Sequence, residues 1–190
     1  MANVGRGMVK GIGITSYKDF PDLRLNPDIF TEVAIPELVE IPKCKPDIED
    51  LLSIAADIDV ISVRLIDTAK GISNEGQNLS GHKLIIELKL RQKVKYIAAD
   101  PAQSVHAAHF ENVINSVYVV VPAALDVGNP AVKTSIRTLF KQGRLVVTPY
   151  IEDIYGELRD KRTIFKNIIV FVHVTAAERR KFSVKYYAGK

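Results

Sequence analysis

Hydrophobic and polar positions alternate most clearly between Lys83 and Tyr96. Even positions carry Leu84, Ile86, Leu88, Leu90, Val94 and Tyr96, while odd positions carry Lys83, Glu87, Lys89, Arg91, Lys93 and Lys95. A period of two over this length predicts a long strand with one buried and one wet face. Upstream, Ile54 to Asp67 reads as a second long strand whose phase flips midway. Ile54, Ala56, Ile58 and Val60 share one face, and Ile61, Val63 and Leu65 share the other. Such a flip predicts a β-bulge or a strand crossing between sheets. The residues between the two strands, Thr68 to His82, are polar and read as a loop. Antiparallel pairing across it sets Asp57 near Lys93 and Asp59 near Arg91, with each ion pair worth at most about 1 kcal/mol.

Further strands are expected at Val33 to Ile41, Val113 to Val121, Leu145 to Ile154, Asn167 to Thr175 and Phe182 to Tyr187. Pro36 marks the first as an edge strand or a bulge. The second and fourth are apolar on both faces, which calls for a second cover from the same chain or from another copy. This places Val117, Val119, Ile169 and Phe171 among the candidates for self-association. Helix is scarce. Pro46 to Leu52 reads as a short helix begun by Pro46, and a second spans about 130–142, capped by Asn129 and closed by Gly143. Many short strands and few helices predict an all-β, antiparallel β-sandwich. The chain divides into an N-terminal arm and lead-in, 1–31, and a single domain, 32–190, with an inserted segment at 123–143.

In the arm, Gly5, Gly7, Gly11 and Gly13 punctuate Met8, Val9, Ile12 and Ile14. Glycines at this density weaken a strand unless something else holds the backbone. An arm that adds to the sheet edge of a neighbouring copy fits, because edge addition relies on main-chain hydrogen bonds. Met8, Val9, Ile12 and Ile14 are therefore expected to take part in self-assembly.

Composition changes this picture little. At 190 residues, 47% hydrophobic and 25% charged, the chain is of ordinary globular make-up for one domain. No apolar run approaches the ~20 residues that span a bilayer, and the N-terminus shows no signal-peptide pattern, so synthesis in the cytoplasm without membrane insertion is expected. The single cysteine, Cys44, excludes an intramolecular disulfide. The net charge of +4 is mild. Lys89, Arg91, Lys93 and Lys95 form a basic stripe able to meet an anionic partner, but no aromatics are interleaved with it as single-stranded nucleic acid requires, so no nucleic-acid partner is expected.

No cofactor motif is present, and the glycine-rich start is neither a dinucleotide fingerprint nor a P-loop. His106, His109 and Glu111 are the only candidates for a metal, without the spacing of a zinc motif. Ser104 beside His106 lacks an identified orienting group, so no catalytic residues are assigned. Glu152, Asp153 and Asp160 beside Arg159, Lys161 and Arg162 read as an ion network around a turn.

The blocks Lys45-Pro46-Asp47-Ile48-Glu49, Gly81 to Glu87, Gln92 to Asp100 and Gln103 to Phe110 resemble the SPOCS domain family, a sporulation-associated domain of endospore-forming Firmicutes. Tyr150 to Tyr155 and Asp160 to Asn167 extend the resemblance, which covers most of residues 32 to 175 in order. It implies a non-catalytic protein acting through protein contacts in the spore envelope. Some relatives join the domain to a LysM peptidoglycan-binding module, for which this chain has no room. A stand-alone domain with added arms implies a self-assembling building block of the coat, exosporium or a spore appendage, made in the mother cell and deposited on the spore surface. The alternative is a monomeric or dimeric module that recruits another spore-coat protein or a cell-wall glycan.

Overall fold

A computed structural model describes residues 10–22, 29–128, 131–178 and 185–188. The alternation of Lys83 to Tyr96 forms the middle of the longest hairpin, β3 (Ile48–Ile72) and β4 (Asn78–Ala98). Every even position of β4 from Leu84 to Ala98 is buried. The third long member, β5 (Val105–Val120), pairs antiparallel with β4. Two short segments lie parallel against β3, namely β1 (Lys10–Ile12) beside Ser53 to Ala55 and β10 (Lys185–Ala188) beside Ser62 to Leu65. These five strands make the first sheet, and they are numbered here in chain order.

The second sheet has the order β2-β9-β8, built from β2 (Ile29–Glu40), β8 (Leu145–Leu158) and β9 (Thr163–Ala176). Pro36 lies on β2, an edge strand, as its missing N–H demands. The sheets pack face to face, with β3 against β8 and β2 against β5. Ile35, Ile154, Ile164, Ile168 and Val170 of one sheet meet Ile54, Leu84, Leu88, Leu90 and Val94 of the other in one core. The expected all-β sandwich is the architecture observed, with the difference that the terminal strands join it in parallel.

The phase flip of β3 is a bulge: the register shifts between Val60 and Ser62. Asp57 faces Arg91 and Asp59 faces Lys89, two residues from the expected pairing. The short helix expected over 46–52 is instead the start of β3. Its apolar spacing of three, Ile48, Leu51 and Ile54, arises because bulges after Ile48 and after Leu51 each insert a residue into the alternation. Thr68 to His82 is less loop than strand, since the ladder runs on to Ile72 opposite Asn78. Beyond the sandwich this ribbon is exposed around its tip, so nothing there requires an apolar phase.

Residues 123–143 fold as a hairpin, β6 (Ala124–Val127) with β7 (Val132–Ser135), followed by α1 (Ile136–Lys141). The helix is shorter than expected, because its cap is Ser135, whose side chain accepts from the Thr138 N–H at 3.2 Å. The expected cap, Asn129, lies outside the described residues. Ile136, Leu139 and Phe140 bury the helix's apolar face. At the opposite end of the sandwich Arg162 binds Asp47 at 2.6 Å and the carbonyls of Ile41 and Pro42 at 2.9 Å each. It thus ties the β8–β9 turn to the β2–β3 loop, and Asp160 and Arg159 bond locally around that turn, whereas Glu152 and Asp153, expected in the same network, lie within β8.

Candidate functional site

The outer edge of β3 is the most distinctive exposed main chain of the fold. Among the described residues only β1 and β10 pair with it, three and four residues long against a strand of 25. The stretch from Ala56 to Ile61 between them pairs with β4 on its inner side and has no partner strand on the outer edge among the described residues. The N-terminal segment then crosses to the other sheet, where the Thr15 N–H donates to the Ile151 carbonyl at 2.8 Å and Thr15 Oγ1 accepts from the Ile151 N–H at 3.1 Å. Gly13 makes the crossing with φ of +102°, so close to β3 that a Cβ there would meet the Ala56 carbonyl oxygen. Of the four arm residues expected in self-assembly, Ile12 and Ile14 are exposed, while Met8 and Val9 lie outside the described residues.

Val117 and Val119 point into the core. Phe171, on the outer face of the second sheet, is 2% exposed because the chain covers it itself. Phe20 of the lead-in stacks on Tyr150 at 5.1 Å between ring centroids and lies 5.9 Å from Phe171, while Phe30 approaches Phe171 to 5.0 Å. The same outer face carries Ile169, half-buried, and Leu38, 69% exposed. Cover from within the chain thus reaches the Phe171 end of this face and leaves the Leu38 end open to solvent.

The basic stripe is largely neutralised. Arg91 binds both Asp57 and Asp59 at 2.6 Å, and Lys89 binds Glu111 at 2.6 Å. The two carboxylates hold the Arg91 guanidinium above its usual range, Asp57 first through its hydrogen bond. Lys93 and Lys95 are left, facing Ala55, Ser53, His109 and Ala107 across the neighbouring strands. A shallow depression of about 340 Å³ opens there, lined by Ala55, Asp57, Arg91, Lys93, His109 and Glu111 among others.

His106 and His109 fall on opposite faces of β5, as odd spacing on a strand dictates. His109 shares the wet face with Glu111; His106 lies on the inner face, stacked on Tyr96 at 5.8 Å. No cluster of three or more His, Cys, Asp or Glu able to hold a metal forms among the described residues. Ser104 Oγ donates to Asp100 Oδ2 at 3.2 Å and lies 3.0 Å from His106 Nε2. The Asp100 carboxylate thus meets the hydroxyl and not the imidazole, unlike the order of a nucleophile, its base and an orienting acid. Cys44 is exposed in the β2–β3 loop.

Inside the sandwich lies a cluster that the pattern reading passed over. Glu37 and Lys166 are directly opposed on β2 and β9, and their side chains turn into the core between Ile35, Val39, Ile164 and Ile168. Lys166 is 0% exposed. Its ammonium and Gln92 Nε2, the latter at 3.0 Å, both donate to Glu37 Oε2, and Asn112 Nδ2 donates to Glu37 Oε1. Burial pushes the Glu37 carboxyl up, but the donors from Lys166, Gln92 and Asn112 together outweigh it and hold the group below its usual range. Burial pushes the Lys166 ammonium down against the pull of Glu37. Gln92 Oε1 is buried without a hydrogen-bond partner among the described residues. The signal was available in the sequence: Glu37, Gln92 and Lys166 each interrupt an inward-facing apolar phase.

No protein-family model matches the chain, and no curated protein or solved structure matches it. Among the described residues no helix is long and apolar enough to cross a membrane.

Proposed function

We propose that this protein is a non-catalytic structural subunit of the bacterial endospore surface that assembles with copies of itself, each lending a terminal strand to the β3 edge of the next. One observation supports this mode above the others: β3, a 25-residue strand, has its outer edge paired, among the described residues, only with two short parallel segments. Such pairing uses main-chain groups, so a second copy's segment satisfies the same donors and acceptors. An arm from one copy on the edge of the next is a head-to-tail contact, and head-to-tail contacts that do not close give open assemblies. The outer face around Leu38 and Ile169 offers apolar surface to the same end. The assignment to the spore surface, as coat, exosporium or appendage, rests on the resemblance to the SPOCS domain.

The test is negative-stain electron microscopy of full-length protein with size-exclusion chromatography on the same sample. Filaments, tubes or sheets are expected, and deleting residues 1–14 is expected to leave a folded monomer. A truncated protein that polymerises like the full chain refutes arm exchange, and a full-length protein that stays monomeric refutes self-assembly. The second reading, a module recruiting another coat protein or a cell-wall glycan, draws on the Lys93 and Lys95 pair beside the depression on the first sheet. It is distinguished by a discrete monomer or dimer and by loss of binding on charge reversal at those two lysines.

A further inference from the structure

Glu37, Asn112 and Lys166 bring a base, a primary amide and an amine together between the two sheets, where Lys166 is fully buried and Glu37 and Asn112 are half-buried. Glu37 holds the other two on different oxygens, Lys166 Nζ on Oε2 and Asn112 Nδ2 on Oε1. Leu90, paired with Asn112 across β4 and β5, is fully buried, as are Ile164 and Ile168 on either side of Lys166. The Lys166 side chain itself is closed to water.

We propose that Lys166 and Asn112 become joined by an intramolecular amide bond between Nζ and Cγ, formed after folding with Glu37 carrying the protons. Nζ gives a proton to Glu37 Oε2 and attacks Asn112 Cγ as the free amine. The new C–N bond forms as the Cγ–Nδ2 bond breaks, and Nδ2, protonated from the carboxyl, leaves as ammonia. Of the protons first held by the ammonium and the amide, one stays on the new amide nitrogen, three leave with ammonia and one rests on Glu37. An amine and a primary amide give a secondary amide and ammonia, so no oxidant or further reactant is consumed. The buried ion pair is thereby replaced by neutral groups, removing the desolvation penalty of holding two charges in the core. Burial already disfavours the charged form of Lys166, which raises the share of nucleophilic amine.

Gln92 is the competing amide, but its Nε2 shares Oε2 with Nζ. One oxygen would then have to accept the proton of the nucleophile and also protonate the leaving group. Asn112 uses the other oxygen and frees the two tasks from each other. The bond ties β9 to β5, and so one sheet to the other, in a monomer and in an assembly alike. It stands independently of the self-assembly reading.

The test is the intact mass of the full-length protein, shown to be folded by circular dichroism and then measured under denaturing conditions. The expected mass is one ammonia below that of the sequence. A protease digest is expected to yield a branched peptide joining the segment with Asn112 to the segment with Lys166. Lys166→Met, Asn112→Ala and Glu37→Gln are each expected at full sequence mass. Folded wild-type protein at full mass overturns the proposal without reliance on any variant. A branch that maps to Gln92 overturns the choice of Asn112, and ammonia loss persisting in Glu37→Gln overturns the role of Glu37.

Discussion

Replacing Gly13 by alanine tests whether the N-terminal segment is held to the edge of β3 as tightly as the backbone geometry implies. Two costs arise. The first is conformational: φ of +102° is a region that L side chains avoid, which costs on the order of 1–2 kcal/mol. The second is steric, because the new Cβ would sit 2.1 Å from the Ala56 carbonyl oxygen, where ordinary contact begins at 3.4 Å. Relief takes a shift of more than an ångström in one of two backbones, and Ala56 belongs to a strand locked by β4. The arm must give way. It is anchored by three residues of parallel pairing and the Thr15–Ile151 bonds, and net hydrogen bonds of about 1 kcal/mol each are set against about 1–2 kcal/mol per ordered residue. Unpairing is therefore the cheaper response, and the total loss is capped at about 1–3 kcal/mol. Gly76, in the tip of the β3–β4 ribbon, is the control: its φ is +83° but a Cβ there meets nothing within 4 Å. Gly76→Ala thus carries the conformational cost alone, about 1 kcal/mol. Urea denaturation gives the totals, and amide hydrogen exchange locates them. Exchange at Thr15 is expected to accelerate in Gly13→Ala and to stay unchanged in Gly76→Ala. Unaltered protection of Thr15 in Gly13→Ala refutes the reasoning.

Phe20→Ala removes the ring that stacks on Tyr150 and covers Phe171, with a loss of about 1–3 kcal/mol in urea midpoint analysis and faster exchange in residues 15–22; no change would mean the lead-in does not shield that face. Asp160 accepts backbone N–H bonds from Arg162 and Thr163, which hold its carboxyl below the usual range. Its stabilisation is therefore fully present above the ordinary aspartate pKa of about 4 and is lost as the pH falls through the depressed folded value. Asp160→Asn should accordingly differ from wild type in urea midpoint at neutral pH, with the gap closing in acid. Lys93→Glu with Lys95→Glu should leave stability within about 0.5 kcal/mol, so a change in assembly or partner capture in this variant reads out the surface itself.

Sequence pattern reached the sandwich because its strands are buried on one face and the alternation of β4 survives over its whole middle. The flip in β3 marked a real bulge, since an extra residue inverts which positions face the core. The same physics explains the misses. The expected pairing of Asp57 with Lys93 extends the register found at the hairpin tip, where Lys70 faces Ser80. Two bulges on β3, between Asp67 and Lys70 and between Val60 and Ser62, each absorb one residue, so Asp57 arrives at Arg91 instead. Only the more inward bulge left a trace in the alternation, because the outer one lies where the ribbon is wet. Strand spacing distorted by bulges also imitates a helix, as at Ile48 and Leu51.

The candidate sites were legible to different degrees for a related reason. A strand edge is made of main chain and leaves no residue signature, so the β3 edge emerges only from the pairing. The buried cluster did leave one, a charged or amide residue set between two inward-facing apolar residues on each of β2, β4 and β9. Those interruptions lie far apart in the chain, and the fold brings Glu37, Gln92 and Lys166 to one point. That coincidence restricts the register. Sliding β9 by two residues along β2 keeps every side chain on its own face and so escapes the hydrophobic pattern. It would, however, carry Lys166 away from Glu37 to face Ile35 or Val39, leaving an unpaired ammonium in the core at a cost of about 3–5 kcal/mol. The apolar phase selects the face of each strand, and the buried charges select its position along the neighbour.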